Sequence, residues 1–163
     1  MIIHTVGDKP MPFVDSGLFV GGRSGVSFSL LDIQRNTLLD SEKERISIEI
    51  GDGNGKSLSG KPCYYQVSLE KNPSRLVVDL SQLSRAKFKE SQLKSLFKNS
   101  AHIKNVELTT DPEDQSTSIV FNLKKAVAVA VFEIQSQHRP TQIVIEVINK
   151  KRSSSLKQIK AER

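Results

Sequence analysis

The stretch Asn72–Leu80 reads Asn-Pro-Ser-Arg-Leu-Val-Val-Asp-Leu, and the stretch Arg139–Val147 reads Arg-Pro-Thr-Gln-Ile-Val-Ile-Glu-Val. At this offset of 67 residues, a proline, a run of aliphatic residues and an acidic residue occupy equivalent positions. A repeat of this kind is checked before any local feature, because it constrains the whole fold. The match predicts that the chain contains two copies of one structural unit.

The match extends upstream in both copies. At the same offset, Tyr65 and Val67 fall opposite Phe132 and Ile134. Further upstream the offset becomes 73, and the extra loop Gly51–Pro62 of the first copy accounts for the change. Four aliphatic residues of the first copy then match four residues of the second, namely Ile33, Ile46, Ile48 and Ile50 with Val106, Ile119, Phe121 and Leu123. Their alternation is typical of strands that bury one face.

These patterns predict a mainly β fold, in which a duplicated strand unit forms two small packed β-sheets, like a β-sandwich, with one connecting amphipathic α-helix. We expect an N-terminal extension at 1–25 that packs loosely or is partly disordered. The β domain covers 26–149, with the first repeat at 26–82, the helix at 84–99 and the second repeat at 103–149. A basic tail or linker follows at 150–163.

The predicted helix begins at a Ser84 cap and has two different sides. Its apolar side, which we expect to close one end of the core, consists of Leu83, Ala86, Leu93, Leu96 and Phe97. Its other side carries Lys87, Lys94 and Lys98, which form either a contact for an anionic surface or a solvated helix face. The fourth strand, Leu76–Leu80, is apolar enough that we expect both of its faces to be covered.

The chain of 163 residues has a formal net charge of +6. Residues 85–104 hold six Lys or Arg against one acid, and residues 150–163 hold another six against one. Such a distribution suggests an anionic partner or surface. No apolar run approaches the ~20 residues of a membrane span, and no signal peptide is visible. If the natural protein is exported, we expect its targeting segment to lie outside this sequence.

No motif of the sequence indicates an enzyme or a cofactor. The loop Gly51–Ser57 lacks the spacing of a phosphate-binding loop and the ligands of a calcium loop, so we interpret it as a turn. The single Cys63, placed opposite Ala130 by the repeat, is interpreted as a small apolar strand residue rather than a nucleophile. Asp79 and Glu146 are equivalent acids that we expect to pair with basic or backbone donors. The histidines show no metal-ligand spacing.

The run Pro-Ser-Arg-Leu-Val-Val-Asp-Leu at 73–80, with a second unit ending in Thr-Gln-Ile-Val-Ile-Glu-Val at 141–147, resembles the AMIN domain. That family is named for the region preceding the catalytic domain of bacterial N-acetylmuramoyl-L-alanine amidases, and it also occurs in type IV pilus secretins. The resemblance covers about Val26 to Asn149. It implies two β-sheets related by duplication, no enzymatic activity and a role in targeting.

From this resemblance we expect a non-catalytic module that binds peptidoglycan, or another anionic cell-wall polymer, in the periplasm or cell envelope of a bacterium. An attached or partner amidase or secretin component would be localised by it. The first alternative is a protein-interaction domain of a pilus or secretion assembly that uses an exposed strand edge. The second is a nucleic-acid-binding β protein, which the scarcity of aromatic residues disfavours.

Candidate ligand contacts follow from the chemistry of the polymer. Peptidoglycan offers sugar hydroxyls and the carboxylates of its stem peptides, which polar and cationic side chains bind. We therefore expect ligand-binding residues in the two equivalent turns, with Lys71, Asn72 and Arg75 in the first and His138 and Arg139 in the second. The Gln142 that stands where the first copy has Arg75 argues against two identical sites.

Overall fold

A computed structural model describes residues 2–25, 27–38 and 42–151. It contains eleven strands and one helix in those ranges. The strands are β1 (Ile3–Thr5), β2 (Gly17–Gly21), β3 (Phe28–Leu38), β4 (Lys43–Asp52), β5 (Tyr65–Glu70), β6 (Arg75–Leu80), β7 (Leu83–Ala86), β8 (Ile103–Asp111), β9 (Ser116–Leu123), β10 (Val127–Ile134) and β11 (Thr141–Asn149). The helix, α1, spans Glu90–Leu96. The mainly β, sandwich-like fold with one helix is confirmed.

Two sheets pack face to face. Sheet A has the strand order β1-β2-β5-β6-β9-β8, and sheet B has the order β10-β11-β4-β3-β7. The core between them consists of the inward-facing aliphatic and aromatic residues of both sheets, with Ile48 of β4 and Phe121 of β9 completely buried. Sheet alternation places the remaining residues of each strand on an outer face.

The two copies of the repeat are interwoven. Hairpin β3–β4 of the first copy pairs with β11 of the second, while hairpin β8–β9 of the second copy pairs with β6 of the first. Strands β5-β6-β9-β8 of sheet A are therefore equivalent to β10-β11-β4-β3 of sheet B. Each sheet is completed only by both copies, so we expect the two copies to fold as one cooperative unit.

The strand registers confirm the offset of 73 in detail. Ile33 pairs with Ile48, and Val106 pairs with Phe121. Both hairpins also contain a register shift at the same place, between Leu30 and Asp32 in β3 and between Ile103 and Asn105 in β8. A β-bulge is thus present at equivalent places in both copies.

The equivalence predicted for β5 is wrong by three residues. Glu70 pairs with Arg75 across one turn, whereas Ile134 pairs with Gln142 across the other, so the second turn is three residues longer. The offset between β5 and β10 is therefore 64. Tyr65 is equivalent to Val129 rather than Phe132, and Val67 to Val131 rather than Ile134. Cys63 likewise corresponds to Val127 instead of Ala130.

The expectation of a loosely packed N-terminal extension is wrong for the residues between Ile3 and Gly21. Strand β2 pairs with β5 along its whole length and buries Phe19. The segment between β1 and β2 then follows the open edge of β10, because Gly7 accepts a hydrogen bond from the Glu133 N–H and Val14 forms a two-way bridge with Val129. Strand β2 covers the edge of β5, and the segment 6–16, called here the N-terminal strap, covers the edge of β10. Both edges could otherwise pair with another chain and aggregate.

The predicted helix at 84–99 is also corrected. Its first part is the strand β7, which pairs in parallel with β3, and the Ser84 hydroxyl donates to the carbonyl of Phe28 rather than capping a helix. The spacing of Leu83 and Ala86 fits a helical arc, but two apolar residues three positions apart also occur in a short strand. The remaining helix α1 buries Leu93, and Phe97 after it packs edge-on against Phe121. Its apolar side does close one end of the core.

Strand β6 is buried on one face, which corrects the expectation of two covered faces. Leu76, Val78 and Leu80 are completely buried, while Arg75, Val77 and Asp79 are half-buried on the outer face. An apolar run such as Leu-Val-Val does not by itself distinguish one covered face from two.

A buried carboxylate ties strand β4 to the segment before β8. The Glu44 side chain has no exposed surface, receives a hydrogen bond from Arg35 Nε at 2.8 Å, and accepts others from the Ser100 hydroxyl and the His102 N–H. Burial raises the pKa of Glu44, but the hydrogen bonds from Arg35, Ser100 and His102 outweigh it and leave the pKa below its ordinary value. The second copy has Thr117 at the equivalent position.

Candidate functional site

The first predicted turn lies at one end of the sandwich. Lys71 and Asn72 are exposed, Asn72 adopts a left-handed φ of 57°, and the Asn72–Pro73 peptide is cis. The turn forms one wall of a cleft, cleft 1, whose other wall includes Ala126 and Val127. Lys71 and Asn72 therefore border a concave surface, as a small polar ligand requires.

Arg75 lies beside this turn on the outer face of sheet A. Its Nε donates to Glu70 Oε1 at 2.6 Å, and both side chains are about 40% exposed. An ion pair this exposed contributes little to stability, so its charges can be exchanged for those of a ligand at small cost. The four remaining guanidinium N–H donors make no hydrogen bond within the described part of the chain.

The second predicted turn is remote from the first. His138 and Arg139 are exposed in the connection between β10 and β11. That connection follows Ile134, seven residues along β10 from the Val127 that lines cleft 1, or about 23 Å at the ordinary rise of a strand. The structure therefore places the two sets of candidate residues at opposite ends of the sandwich, and one small ligand cannot contact both.

The three candidate lysines do not form one row. Lys87 precedes α1 and donates to the carbonyl of Gly55 at 2.9 Å. Lys94 pairs with Glu90 on the same helix at 3.1 Å, and Lys98 lies exposed beyond the helix end. The Glu90 carboxylate also accepts the N–H of Leu108 from β8, and this hydrogen bond, followed by that from Lys94, lowers the pKa of Glu90. The predicted lysine face is thus corrected to three separate cations, of which Lys87 and Lys94 have contacts within the chain and Lys98 is exposed.

The outer faces of the two sheets differ. On sheet B, Ala128, Phe132 and Val144 are at most 5% exposed although they point away from the core between the sheets. Glu146 lies on the same face, where Arg45 binds it at 2.8 Å and Lys43 at 3.1 Å. Phe13 of the N-terminal strap packs near Lys43. The expectation that Glu146 pairs with basic donors is confirmed.

The outer face of sheet A is open along its four longest strands. None of its side chains on β5, β6, β8 and β9 is buried, and the face includes Gln66, Ser68, Glu70, Arg75, Val77, Asp79, Asn105, Ser118, Val120 and Asn122. Asp79 accepts a hydrogen bond from Ser118, so its partner is a hydroxyl rather than the predicted basic or backbone donor. The face is a shallow surface of hydroxyl, amide and carboxylate groups.

A second cleft, cleft 2, lies at the opposite end from cleft 1 and was missed in the sequence. Its lining includes Gly7, Asp8, Lys61, Glu133 and Gln135. Glu133 is only 3% exposed, and its Oε2 accepts a hydrogen bond of 2.6 Å from the completely buried Tyr65 hydroxyl. The available signal was a single acid in the apolar strand Val-Ala-Val-Ala-Val-Phe-Glu-Ile, which the wrong alignment had placed away from the core.

The described residues contain no arrangement typical of catalysis or metal binding. Burial raises the pKa of the Cys63 thiol to about 12, which keeps it protonated and unreactive at neutral pH. Within residues 2–25, 27–38 and 42–151, no three His, Cys, Asp or Glu side chains are grouped to hold a metal ion. No helix in those ranges is long and apolar enough to span a membrane.

Comparison with known proteins identifies one family. The model of the AMIN domain matches residues 57–147, which is more than half of the chain. No curated protein sequence matches the chain. Domains of this family are non-catalytic modules that bind peptidoglycan and target amidases and secretins.

Proposed function

Since this chain belongs to the AMIN domain family, we propose that it is a non-catalytic targeting module that binds peptidoglycan and localises an attached or partner protein in the periplasm. The attached or partner protein would be an amidase or a secretin component. The module uses no cofactor. The family match begins at residue 57, but β3 and β4 are two of the five strands of sheet B, so the functional unit includes the whole sandwich.

The observation that carries this proposal is the open outer face of sheet A. A glycan strand is a flat, extended polymer that presents hydroxyl and acetamido groups, and it is bound by side chains that donate and accept hydrogen bonds. The half-buried Ser68, Gln66 and Asn122 provide such groups. Val77 and Val120, which pair across β6 and β9, provide an apolar strip at the centre of the face. On the equivalent face of sheet B, Ala128, Phe132, Val144 and Glu146 are buried, so its β10–β11 half offers no comparable open polar surface.

Cationic residues border this face at its cleft 1 end. Lys71 and Arg75 lie where β5 turns into β6, beside the polar surface. They can bind the carboxylates of stem peptides that project from a glycan strand on the face. The Arg75–Glu70 ion pair holds the guanidinium in place before a ligand arrives. His138 and Arg139, at the other end, would contact only a polymer long enough to span the sheet.

Retention by purified peptidoglycan sacculi tests the proposal. The wild-type chain should co-sediment with sacculi and remain bound at moderate salt, because hydrogen bonds rather than nonspecific charge provide the specificity. The variant Val120→Glu places a carboxylate at the centre of the face and should weaken binding about tenfold, the effect of one unfavourable charge. The matched control Gln34→Glu adds the same charge on the outer side of sheet B and should bind normally. Absence of wild-type retention would refute the proposal.

A second candidate function rests on the edge strand β8. It is nine residues long and, among the described strands, pairs only with β9, whereas the equivalent strand β3 is flanked by β7. Helix α1 covers part of this edge, where Glu90 accepts the N–H of Leu108, and the rest of the edge can accept a strand from a partner protein, as in pilus or secretin assemblies. Site-specific cross-linking from β8 in cells would favour this function if it recovered a secretin component while sacculi retained nothing.

A further inference from the structure

Comparison of the two repeats shows that packing does not require a glutamate at position 133. Leu69 pairs with Leu76 in β6, and Glu133 pairs with Ile143, the equivalent residue in β11. Glu133 therefore occupies, in one half of the molecule, the position that Leu69 occupies in the other. A leucine fills this inward-facing site at one end of the sandwich, and a nearly buried glutamate fills it at the other.

The partner of Glu133 is changed as well. Tyr65, which donates its hydroxyl to Glu133, stands where the other half has Val129. A Tyr–Glu hydrogen bond thus replaces a Val–Leu combination at equivalent positions. Gly21 makes room for this pair, because a Cβ at that residue would lie 2.5 Å from the Tyr65 hydroxyl and 2.7 Å from Glu133 Oε2. Three positions are adapted to hold one carboxylate.

This carboxylate has donors but no cation. Its Oε2 accepts from Tyr65 and its Oε1 accepts from the Gln135 side chain at 3.2 Å, while the side chain lines cleft 2. No Lys, Arg or His nitrogen of the described ranges lies within 4.0 Å of it. Burying a carboxylate is costly unless a positive charge compensates it. A cationic ligand entering cleft 2 would supply that charge.

We propose that cleft 2 binds the primary ammonium group of a peptidoglycan stem peptide, with Glu133 as its counter-ion. This assignment rests on the proposed function. Asp8 on the cleft wall adds a second carboxylate for the ammonium, and the exposed Lys61 can bind a carboxylate next to it. A carbon bearing both an ammonium and a carboxylate group, as at the free end of a diamino acid in a stem peptide, fits this combination of charges. Binding at cleft 2 adds to binding on the outer face of sheet A.

Two probes test the assignment. The first is sedimentation with intact sacculi and with sacculi whose free amines have been acetylated, using the wild-type chain, Glu133→Gln and the control Glu113→Gln, which removes an exposed carboxylate from the turn between β8 and β9. Glutamine keeps an acceptor for Tyr65 but removes the charge, and thermal melting verifies that each variant is folded. The second is an NMR titration with free diaminopimelate and its N-acetylated form, following the amide signals of Gly7 and Gln135.

Acetylation and Glu133→Gln should each weaken the retention of the chain by about tenfold, the usual effect of losing one charge-assisted hydrogen bond, and combining them should cause no further loss. Glu113→Gln should be retained like wild type. If untreated sacculi retain the wild type and neither acetylation nor Glu133→Gln changes this, the ammonium site is refuted while the proposed function stands. If sacculi retain nothing, the proposed function fails, and the titration decides. Amide shifts abolished by Glu133→Gln would support the site, and their absence would overturn it.

Discussion

The two ends of the sandwich have the same backbone pairing and different chemistry. At the cleft 1 end, Leu69 and Val129 occupy inward positions of β5 and β10, and at the cleft 2 end the equivalent positions hold Glu133 and Tyr65. Because the duplication supplies the same local framework twice, the apolar end shows what packing alone needs. The glutamate and the tyrosine at the polar end are therefore not required by the fold.

The equivalent hairpins β3–β4 and β8–β9 also differ at one buried position. Glu44 of β4 is tied to Arg35, Ser100 and His102, whereas its counterpart in β9 is Thr117. The Glu44 contacts fix the segment that connects α1 to β8 and have no equivalent in the other copy. The buried carboxylate of Glu44 therefore has a structural role and a paired cation, whereas that of Glu133 has no Lys, Arg or His nitrogen of the described residues within 4.0 Å.

The largest expected effect comes from making the apolar end resemble the polar end. Leu69→Glu should lower the free energy of unfolding by about 3 kcal/mol, because a carboxylate replaces a buried apolar side chain and Val129 offers it no hydroxyl donor. Urea denaturation measures the change. Leu69→Met, which preserves volume and apolarity, should cost less than about 1 kcal/mol. Equal losses in both variants would show that the end is sensitive to packing rather than to charge.

Glu44→Ala should be almost as damaging, at about 3 kcal/mol. It leaves Arg35 without its partner and removes the acceptor of the Ser100 hydroxyl and the His102 N–H. The equivalent change in the other copy, Thr117→Ala, should cost only about 1 kcal/mol. A loss of similar size at both sites in chemical denaturation would contradict the asymmetry.

The pH dependence of the free energy of unfolding should also report the ionisation of Glu44. The pKa of Glu44 is lower in the folded chain than its ordinary value of 4.5, so the folded state favours the ionised form. Its contribution is fully present above about pH 4.5 and is lost as the pH falls through the lower, folded pKa. Unfolding curves of wild type and Glu44→Gln should therefore converge in acid. A constant difference between them from pH 7 to pH 3 would contradict this.

A smaller effect is expected for the hydroxyl of Tyr65. Tyr65→Phe should cost about 1–2 kcal/mol, because Glu133 loses its donor in a buried site. The double variant Tyr65→Phe with Glu133→Leu should regain most of this, since it restores the apolar pairing of the other end. Both are measured in a double-mutant cycle. Additive losses would mean that the two side chains do not act as a pair.

Much of the fold could be predicted from the sequence because the copies share strict alternation. The match of Ile33 and Ile48 with Val106 and Phe121 corresponds to true cross-strand neighbours, down to the shared bulge. The interweaving of the copies could not be predicted, since the same alternation is satisfied whether a hairpin pairs within its own copy or with the other. The N-terminal strand β2 was missed because five residues rich in glycine show little periodicity.

The site was predicted less well for a physical reason. The exposed Lys71, Asn72 and Arg75 were accessible to reasoning about turns, and the structure places them beside a cleft. Cleft 2 depends on which face of β10 meets the core, and a three-residue difference in turn length reverses that face. Under the wrong offset, Phe132 was aligned with the inward Tyr65, and Glu133 appeared to be an outward residue.

The smallest effect is expected where the two ends should be interchangeable. Cys63 is completely buried and equivalent to Val127, so Cys63→Val should change the free energy of unfolding by less than about 1 kcal/mol. With a pKa of about 12, the native thiol should also resist a disulfide reagent at pH 8 and react only when the chain opens. Rapid labelling of the folded protein would show that the chain is accessible at Cys63, in contrast to the buried Val127 at the equivalent position before β10, and so would sharpen the difference between the two ends.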